Sequence, residues 1–247
     1  MSAIFPVISD DGLLEYLPVT ATNLEGAIDV IRKSFFIDEA VCKAVEVSTN
    51  PEAAKELEEL CYANAKDGVS LLAVERSTGR AVGALFNKLQ VKNDVEDTFF
   101  STFAANCKHA SSKALVEFMI TVDEEADLFE ISQADCLLEM VFIAVLPGYR
   151  GRGIGLKLFE ITIGIARALF NGKNVKTPLN EQDLPIGPIP KGVCCILTSK
   201  YSQTLGRQLN LSIAKKISYE KFTFEGKTFA ERLGPEYPST TAEYLTF

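Results

Sequence analysis

One stretch of this sequence combines residue types that can bind a phosphate group. Residues 141–160, VFIAVLPGYRGRGIGLKLFE, begin as an apolar β-branched run, pass through a Pro-Gly breaker and end in apolar residues at helical spacing. Between the two elements lie Arg150, Gly151, Arg152, Gly153, Ile154 and Gly155. Glycine lets a backbone approach a ligand closely, and the first N–H groups of a helix have no partner inside the helix. Because two arginines add positive charge, the stretch predicts a pyrophosphate site at a helix start.

Two other kinds of phosphate site do not fit these residues. A dinucleotide-binding G-x-G-x-x-G motif that began at Gly151 would have Leu156 in place of its third glycine. A complete G-x-x-x-x-G-K-[S/T] P-loop does not occur in the sequence. An ordinary glycine-rich turn with two solvated arginines remains the alternative interpretation.

The elements that must position this turn alternate between strands and helices. Besides the strand before the turn, strand-like runs occupy residues 16–20, 69–75, 81–91, 193–197, 217–224 and 242–247. Helices are predicted after a capping box formed by Thr22 and Glu25, after Asn50-Pro51, and over residues 199–211. These elements predict an α/β fold in which a mixed central sheet of about seven strands is flanked by helices, in a single domain spanning 1–247.

Two longer segments interrupt this alternation. Residues 94–133 lack β-alternation and predict a helical insertion between strands 3 and 4. Residues 176–192 form a proline-rich loop, whose length is typical either of a lid or of a tolerated surface insertion.

Composition and charge argue against several classes of protein. The chain has 247 residues, of which 47% are hydrophobic, so it can bury a full core. Its net charge of −8 argues against a nucleic-acid binder, which needs a basic face. The sequence begins without a signal-peptide pattern, and no apolar run approaches the ~20 residues that span a bilayer, so we expect a cytoplasmic monomer without membrane contact. With one histidine and no C-x-x-C pair, we expect no metal site.

The spacing Arg150-x-x-Gly153-x-Gly155 matches the [Arg/Gln]-x-x-Gly-x-[Gly/Ala] signature of the GCN5-related N-acetyltransferases (GNAT). The order of predicted elements also resembles the GNAT fold over nearly the whole chain. This resemblance implies acetyl-CoA as the acyl donor, with its pyrophosphate held by residues 150–155. It also implies that backbone groups of Ile143, Ala144 and Val145, on the fourth strand, bind the pantetheine arm and polarise the thioester carbonyl.

A second segment resembles one subclass of that family. SFFIDEAVCKA, residues 34–44, resembles the Phe-Phe-x-Asp-Glu-Pro-Leu element of insect arylalkylamine N-acetyltransferases, with Ala40 in place of the proline. The resemblance implies that Glu39 is the general base that takes a proton from the amine. A solvated glutamate at a turn is the alternative for Glu39, and Asp38 beside it is expected to be a cap or a surface charge.

Further catalytic candidates follow from the same resemblance. Many family members have a catalytic glutamate on the fourth strand, which implies that Glu139 shares or relays the proton; by alternation it should lie on the same face as Ile143. Tyr201-Ser202-Gln203 is similar to a Phe-Ser-Gln stretch of the insect enzymes. Ser202 is therefore the candidate proton donor to the leaving thiolate, with Tyr201 as its neighbour, although a serine near a helix start is ordinarily a cap.

The sequence thus predicts an acetyl-CoA-dependent acyltransferase that acts on a small primary amine. Arylalkylamines such as dopamine, tyramine, serotonin or tryptamine and polyamines such as agmatine are the implied acceptors. Phe99, Phe100 and Phe103 in the insertion are candidates to line an aromatic-amine pocket, or else core residues. A peptide or protein N-acetyltransferase and a non-catalytic acyl-CoA-binding module are the alternative functions.

Overall fold

The computed structural model describes residues 5–92, 97–180 and 182–247, which form a mixed sheet with helices on both faces. Its strands are β1 Val7–Ile8, β2 Leu14–Pro18, β3 Leu71–Glu75, β4 Arg80–Val91, β5 Cys136–Val145, β6 Gly192–Leu197, β7 Ser212–Ser218, β8 Thr223–Phe224, β9 Lys227–Thr228 and β10 Ser239–Thr246. Its α-helices are α1 Leu24–Val30, α2 Phe36–Asp38, α3 Ala40–Ala44, α4 Pro51–Ala65, α5 Asp97–Asn106, α6 Ala110–Ala126, α7 Leu128–Ser132, α8 Ile154–Phe170, α9 Lys200–Gln208 and α10 Phe229–Leu233. A π-helical turn, Ile31–Phe35, joins α1 to α2.

The large sheet has the strand order β1-β2-β3-β4-β5-β6-β10-β7. It is antiparallel except between β5 and β6, which are parallel and connected through α8. The predicted α/β architecture is confirmed, and the eighth strand is the two-residue β1, too short to give a sequence signal.

Separate hydrophobic cores lie on the two faces of the sheet. Ile28, Leu57 and Val116 pack between one face and helices α1, α4 and α6. Leu158 and Ile165 pack between the other face and α8. Both faces of the sheet are therefore buried, and the side chains of each strand pack alternately into one core or the other.

The parallel strands β5 and β6 pair over a short distance only. Their register contains two positions, Leu138 with Val193 and Glu139 with Cys194. Beyond these positions β5 continues to Val145 and β6 to Leu197 without pairing to each other. The carboxyl ends of the two strands therefore border a gap, the β5–β6 opening, along which backbone groups are available to a ligand.

A β-bulge in β5 changes which side chains face each core. Phe86 of β4 pairs with Phe142 and Asn87 pairs with Met140, so Val141 is an extra residue. Beyond the bulge Phe142 and Ala144 belong to the core of α1, α4 and α6, whereas Ile143 belongs to the core of α8. The expectation that Glu139 and Ile143 share a face by alternation is wrong, because a bulge shifts the alternation by one residue.

The structure shows where the helical insertion and the proline-rich loop lie. The predicted insertion is confirmed as α5, α6 and α7 between β4 and β5, with residues 93–96 outside the described part. In the proline-rich loop, Thr177 N donates to Gly68 O and Lys191 N donates to Cys136 O, the first residue of β5. The loop thus lies at the end of β5 opposite the glycine-rich turn and is not a lid over that turn.

Two local predictions of element starts are wrong. The first helix begins at Leu24, and its N-cap is Asn23 and not Thr22, so the predicted capping box of Thr22 and Glu25 does not form. The side-chain oxygen of Asn23 accepts from Thr20 N. The strand predicted over 217–224 starts at Ser212 and ends at Ser218, because Tyr219–Lys221 forms a 3₁₀ turn.

Candidate active site

The glycine-rich turn leads from β5 into the first turn of α8. Gly151 and Gly153 have φ values of 77° and 76°, a region that side-chain-bearing residues rarely adopt. Gly153 is the N-cap of α8 and offers no side-chain hydrogen bond to the helix. The first N–H groups of α8 are therefore not satisfied by a cap, as a phosphate-binding helix start requires.

Gly155 serves a different purpose from the two glycines before it. A Cβ built on Gly155 would lie 3.4 Å from Leu205 Cδ1 and 3.6 Å from Ile143 Cδ1. Its small size lets the start of α8 lie close to both β5 and α9, so this glycine fixes how near the turn comes to the β5–β6 opening.

The two arginines of the turn are bound to the protein in different directions. Arg150 donates from Nη2 to Asp38 Oδ2 at 2.6 Å and from Nε to Val145 O at 3.0 Å. Arg152 donates to Gly148 O at 3.2 Å, and its guanidinium carbon lies 5.0 Å from the centre of the Tyr149 ring. The site therefore offers backbone N–H groups as direct donors to a phosphate, with two cationic side chains next to them.

Glu39 lies in the break between α2 and α3, where its extended backbone makes it the N-cap of α3. Its Oε2 accepts from Cys42 N at 2.7 Å, and its Oε1 accepts from Thr198 Oγ1 at 2.6 Å. Both oxygens thus have one defined donor, and each retains a lone pair for a further partner. Glu39 as a whole is half-buried and not sealed in the core.

The segment that carries Glu39 spans the β5–β6 opening. On the β5 side, Ser34 Oγ donates to Val145 O at 2.9 Å, and Asp38 is bound to Arg150. On the β6 side, Thr198, the residue after the strand, holds Glu39. The structure therefore brings together Glu39, Asp38, Arg150 and the end of β5, four features that sequence analysis treated separately.

Three residues of this arrangement were not identified from the sequence. They are Ser34, Thr198 and Tyr219, whose hydroxyl donates to Thr198 O at 2.7 Å. Burial, followed by the charge of Glu39, raises the pKa of Tyr219 well above its ordinary value, so the phenol is neutral and can donate. For Thr198 the signal was its position: a polar residue directly after a buried parallel strand lies at the edge where ligands bind in open α/β sheets.

Glu139 is buried, with 4% of its surface exposed. It lies at the closed end of the opening, which is the end where β5 and β6 pair. Its Oε2 accepts from Gln90 Nε2 at 2.6 Å, and it is paired across the strands with Lys88. It also pairs with Cys194, four residues before Thr198, and four residues of strand span about 13 Å. The structure thus places Glu139 apart from Glu39, one at each end of the opening.

Ser202 forms a capping box with Ser199 at the start of α9. Ser202 N donates to Ser199 Oγ at 3.2 Å, and Ser199 N donates to Ser202 Oγ at 3.1 Å. Its hydroxyl therefore has a structural use, and it lies on the β6 side, four positions after Thr198. Tyr201 beside it is 68% exposed, with Lys200 Nζ 5.3 Å from its ring centre.

The two thiols of β6 and the described phenylalanine side chains of the helical insertion lie in or against the core. Burial raises the pKa of both Cys194 and Cys195 well above the ordinary value, with the charges of Glu139 and Glu243 as the next causes, so neither thiol is a ready nucleophile. Phe100 is buried in the core and Phe103 packs against it, while the side chain of Phe99 lies outside the described residues.

The described part of the chain has neither a cluster of metal ligands nor a membrane-spanning helix. Among residues 5–92, 97–180 and 182–247, no group of three or more His, Cys, Asp or Glu side chains is arranged to hold a metal ion. Over the same ranges, each helix is too short or too polar to cross a membrane.

Comparison with known proteins identifies the fold. No protein-family model and no curated protein matches the chain. Among solved structures, arylalkylamine N-acetyltransferase 2 from Aedes aegypti superposes with a TM-score of 0.75 at 20% identity, covering 94% of this chain and 98% of that one. The Drosophila melanogaster polyamine N-acetyltransferase, which forms N-acetylagmatine, gives 0.71 at 18% identity over 95% and 100% of the two chains.

A more distant solved structure contains the expected donor. NAA60 from Arabidopsis thaliana, in complex with acetyl-CoA, superposes with a TM-score of 0.53 at 12% identity, covering 95% of this chain and 99% of that one. At these identities the likeness concerns the fold. In structure the chain resembles the insect arylalkylamine and polyamine N-acetyltransferases, and it has the fold of the GCN5-related N-acetyltransferases.

Proposed function

We propose that the protein is an N-acetyltransferase that moves an acetyl group from acetyl-CoA to a small primary amine. The observation that carries the proposal is the position of Glu39 across the β5–β6 opening. One side of the opening ends in the glycine-rich turn, and the other ends in Thr198, which holds the carboxylate. A phosphate-binding helix start and a fixed carboxylate thus border the same gap.

The donor half of the site is formed by the turn and β5. The pyrophosphate of acetyl-CoA binds the N–H groups at the start of α8, with Arg150 and Arg152 adding charge. The pantetheine arm lies along residues 143–145 of β5, whose edge towards β6 carries no strand partner within the described register. A backbone N–H of that edge polarises the thioester carbonyl.

Glu39 is the general base in this proposal. A primary amine is protonated at neutral pH, and its lone pair attacks the thioester only after the proton has left. The carboxylate first attracts the ammonium ion and then accepts its proton, directly or through water. We assign this role to Glu39 and not to Glu139, because Glu139 is buried at the closed end of the opening and bound to Gln90.

Collapse of the tetrahedral intermediate releases the thiolate of CoA. Ser202 is the proposed proton donor, since its hydroxyl lies at the start of α9 beside Ser199. The two hydroxyl oxygens are 3.2 Å apart, so a proton given up by Ser202 can be replaced from Ser199, which regains its own proton from water.

We call the face of the sheet that carries α1, α4, α6 and the Glu39 segment the acceptor side. Elements that follow β7 cover this side, which favours a small amine over a peptide as the acceptor. After β7 the chain forms the β8–β9 hairpin and α10, and Arg232 of α10 binds Glu46, two residues after α3, at 2.6 Å. Phe229 of α10 packs against Phe118 of α6 and Tyr219, with ring centres 6.0 and 6.2 Å apart. Since an extended peptide needs an open groove beside the base, these elements support an arylalkylamine or a short polyamine as the acceptor.

A thiol-release assay with acetyl-CoA and a panel of monoamines, polyamines and peptides tests the proposal. We expect release with at least one free amine and none with peptides alone. Glu39→Gln should lower kcat by roughly 100-fold or more, the usual contribution of a general base, while acetyl-CoA binding is retained. Glu160→Gln is the matched control, because Glu160 is an exposed carboxylate paired with Lys157 on α8.

Three results would contradict the proposal in different ways. Turnover of peptides alone would assign the protein to the peptide-acetylating class. Binding of acetyl-CoA without turnover of any acceptor would indicate a binding module. Full activity of Glu39→Gln would remove Glu39 from the chemistry.

A further inference from the structure

The bulge in β5 places an aromatic ring on the acceptor side of the sheet. If β5 had no bulge, regular alternation from Met140 through Val141 would put Phe142 in the core of α8. Instead Phe142 lies in the same core as Phe36 and Val41, which flank Glu39, and only 2% of its surface is exposed. The ring therefore lies beneath the segment that carries the base.

A second ring comes from that segment and packs against the first. Phe35 ends the π-helical turn before Glu39, and its carbonyl accepts from Glu39 N at 2.9 Å. Its ring stands edge-on to Phe142, with centres 5.2 Å apart and an interplanar angle of 75°. Phe35 is half-buried, so it is the member of the pair that retains contact with solvent.

The pair lies between the place of the thioester and the closed end of the opening. The proposed donor contacts run over residues 143–145, and the last paired position of β5 is Glu139. An acyl chain that extends from the thioester towards the closed end therefore passes Phe142, which immediately precedes Ile143. Phe86, fully buried on β4, is the backbone partner of Phe142 and belongs to the same core, so the Phe142 ring lies in packed surroundings.

We infer that Phe35 and Phe142 form a wall that limits the acyl donor to short chains, an inference that rests on the proposed function. An acetyl group ends before the wall. A longer chain requires one or both rings to move, and tightly packed aromatic side chains resist such movement. The two phenylalanines are thus specificity-determining residues for the donor, distinct from the glycine-rich turn, which contacts the part common to all CoA thioesters.

The test compares acetyl-, butyryl- and hexanoyl-CoA with wild type, Phe142→Leu, Phe35→Leu and Phe35→Ala. The leucine variants keep an apolar side chain at each position, and thermal unfolding identifies variants that fold. Phe170→Ala is the matched control, because Phe170 ends α8 away from the turn and is 43% exposed. Two readouts are taken: kcat/KM with the best amine, and equilibrium affinity for each thioester without amine.

We expect wild type to favour acetyl-CoA over hexanoyl-CoA by about 100-fold in kcat/KM, since one methylene in a tight pocket already changes this ratio by roughly 10–200-fold. At least one wall variant should reduce the preference by about 10-fold or more in both readouts, and the control should not. Equal use of hexanoyl-CoA by wild type, or an unchanged preference in every folded variant, overturns the inference while the proposed function stands. If no CoA thioester binds, both fall.

Discussion

Thr198 donates a hydrogen bond of 2.6 Å to Glu39 and thereby joins residues 159 positions apart in the chain. The other carboxylate oxygen is held by Cys42 N within the first turn of α3. Because one donor comes from the residue directly after β6 and the other from α3, the orientation of the carboxylate is set before any substrate binds. Thr198 itself is fixed through its carbonyl by the buried Tyr219.

Replacing Thr198 should impair turnover without unfolding the protein. A hydrogen bond to a charged group contributes about 1.5–3 kcal/mol, so Thr198→Val should lower kcat by roughly 10–100-fold, and Thr198→Ser should restore most of it. Thr204→Val is the control, since the Thr204 hydroxyl donates to Lys200 O within α9. Equal kcat for the valine variant and wild type would show that the contact does not position the base.

The ion pair between Arg150 and Asp38 couples the turn to the base segment. Both side chains are partly exposed, so we expect an energy of about 0.2–1 kcal/mol and a loss in kcat/KM for the amine of about 5-fold at most in Asp38→Asn. The double variant with Arg150→Gln should lose less than the sum of the two single losses.

The same experiment distinguishes the ion pair of Arg150 with Asp38 from the positive charge that Arg150 places beside the phosphate site. Arg150→Gln alone should also raise KM for acetyl-CoA, because it removes a charge beside the phosphate site. Asp29→Asn, which breaks the surface pair with Lys33, should change neither parameter. Strict additivity of Asp38→Asn and Arg150→Gln would show that the two residues act independently.

Glycine-to-alanine changes at two positions should have opposite effects on stability. Gly151 has φ 77° and open space around it, so Gly151→Ala introduces backbone strain of about 1–2 kcal/mol without a clash. Gly164 lies exposed within α8, where alanine is favoured by roughly 0.5–1 kcal/mol. Thermal unfolding should show a lower Tm for the first variant and a higher Tm for the second.

Calorimetric titration then connects these variants with donor binding. Only Gly151→Ala should weaken acetyl-CoA binding. Unchanged affinity in that variant would place the phosphate elsewhere.

Glu243 should make stability depend on pH. It is 2% exposed on β10 and accepts from Thr241 Oγ1 at 2.7 Å, and burial raises its pKa. A carboxyl group whose folded pKa is raised contributes stability below its unfolded pKa, near 4.5, and loses it as pH rises through the folded value. Glu243→Gln should therefore raise Tm at pH 7.5 by roughly 2–4 °C, the shift that about 1 kcal/mol gives in a domain of this size.

The gain should shrink as pH falls towards 4.5, where Glu243 is protonated in the folded protein. Glu160→Gln, at an exposed site, should change Tm little at either pH. A lower Tm for Glu243→Gln at pH 7.5 would show that the charged form is the stable one. Gly206→Ala should destabilise at both pH values, because the new Cβ would lie 2.0 Å from Glu243 Oε2 and 2.8 Å from Leu197 Cδ1, so two buried side chains must shift.

Local features of the structure were predictable because their causes are local. Asn50 caps α4 with Pro51 in its first turn, and the β3–β4 hairpin forms around residues 77–79, as their turn chemistry indicates. The conformations of Gly151 and Gly153 agree with the turn inferred from their spacing.

The arrangement of the site depended on contacts between distant parts of the chain. A bulge arises from the fit between two strands, so the face of Phe142 and Ile143 was not visible in the period of β5 alone. Thr198 and Ser34 are ordinary polar residues in sequence, and each becomes specific only when β5, β6 and the π-helical turn meet. Long-range pairing of this kind leaves no local pattern to recognise.

The short pairing of β5 with β6 also affects hydrogen exchange. The centre of a sheet is usually its most protected part, since its amides open only in large unfolding events. Here the middle of an eight-stranded sheet contains a seam in which β5 and β6 do not pair with each other beyond Glu139 and Cys194, so we expect faster exchange there. In the proposed function a pantetheine chain, with amide groups of its own, would occupy that seam as a substitute strand, and the donor would then complete the protein's own sheet and slow exchange along it.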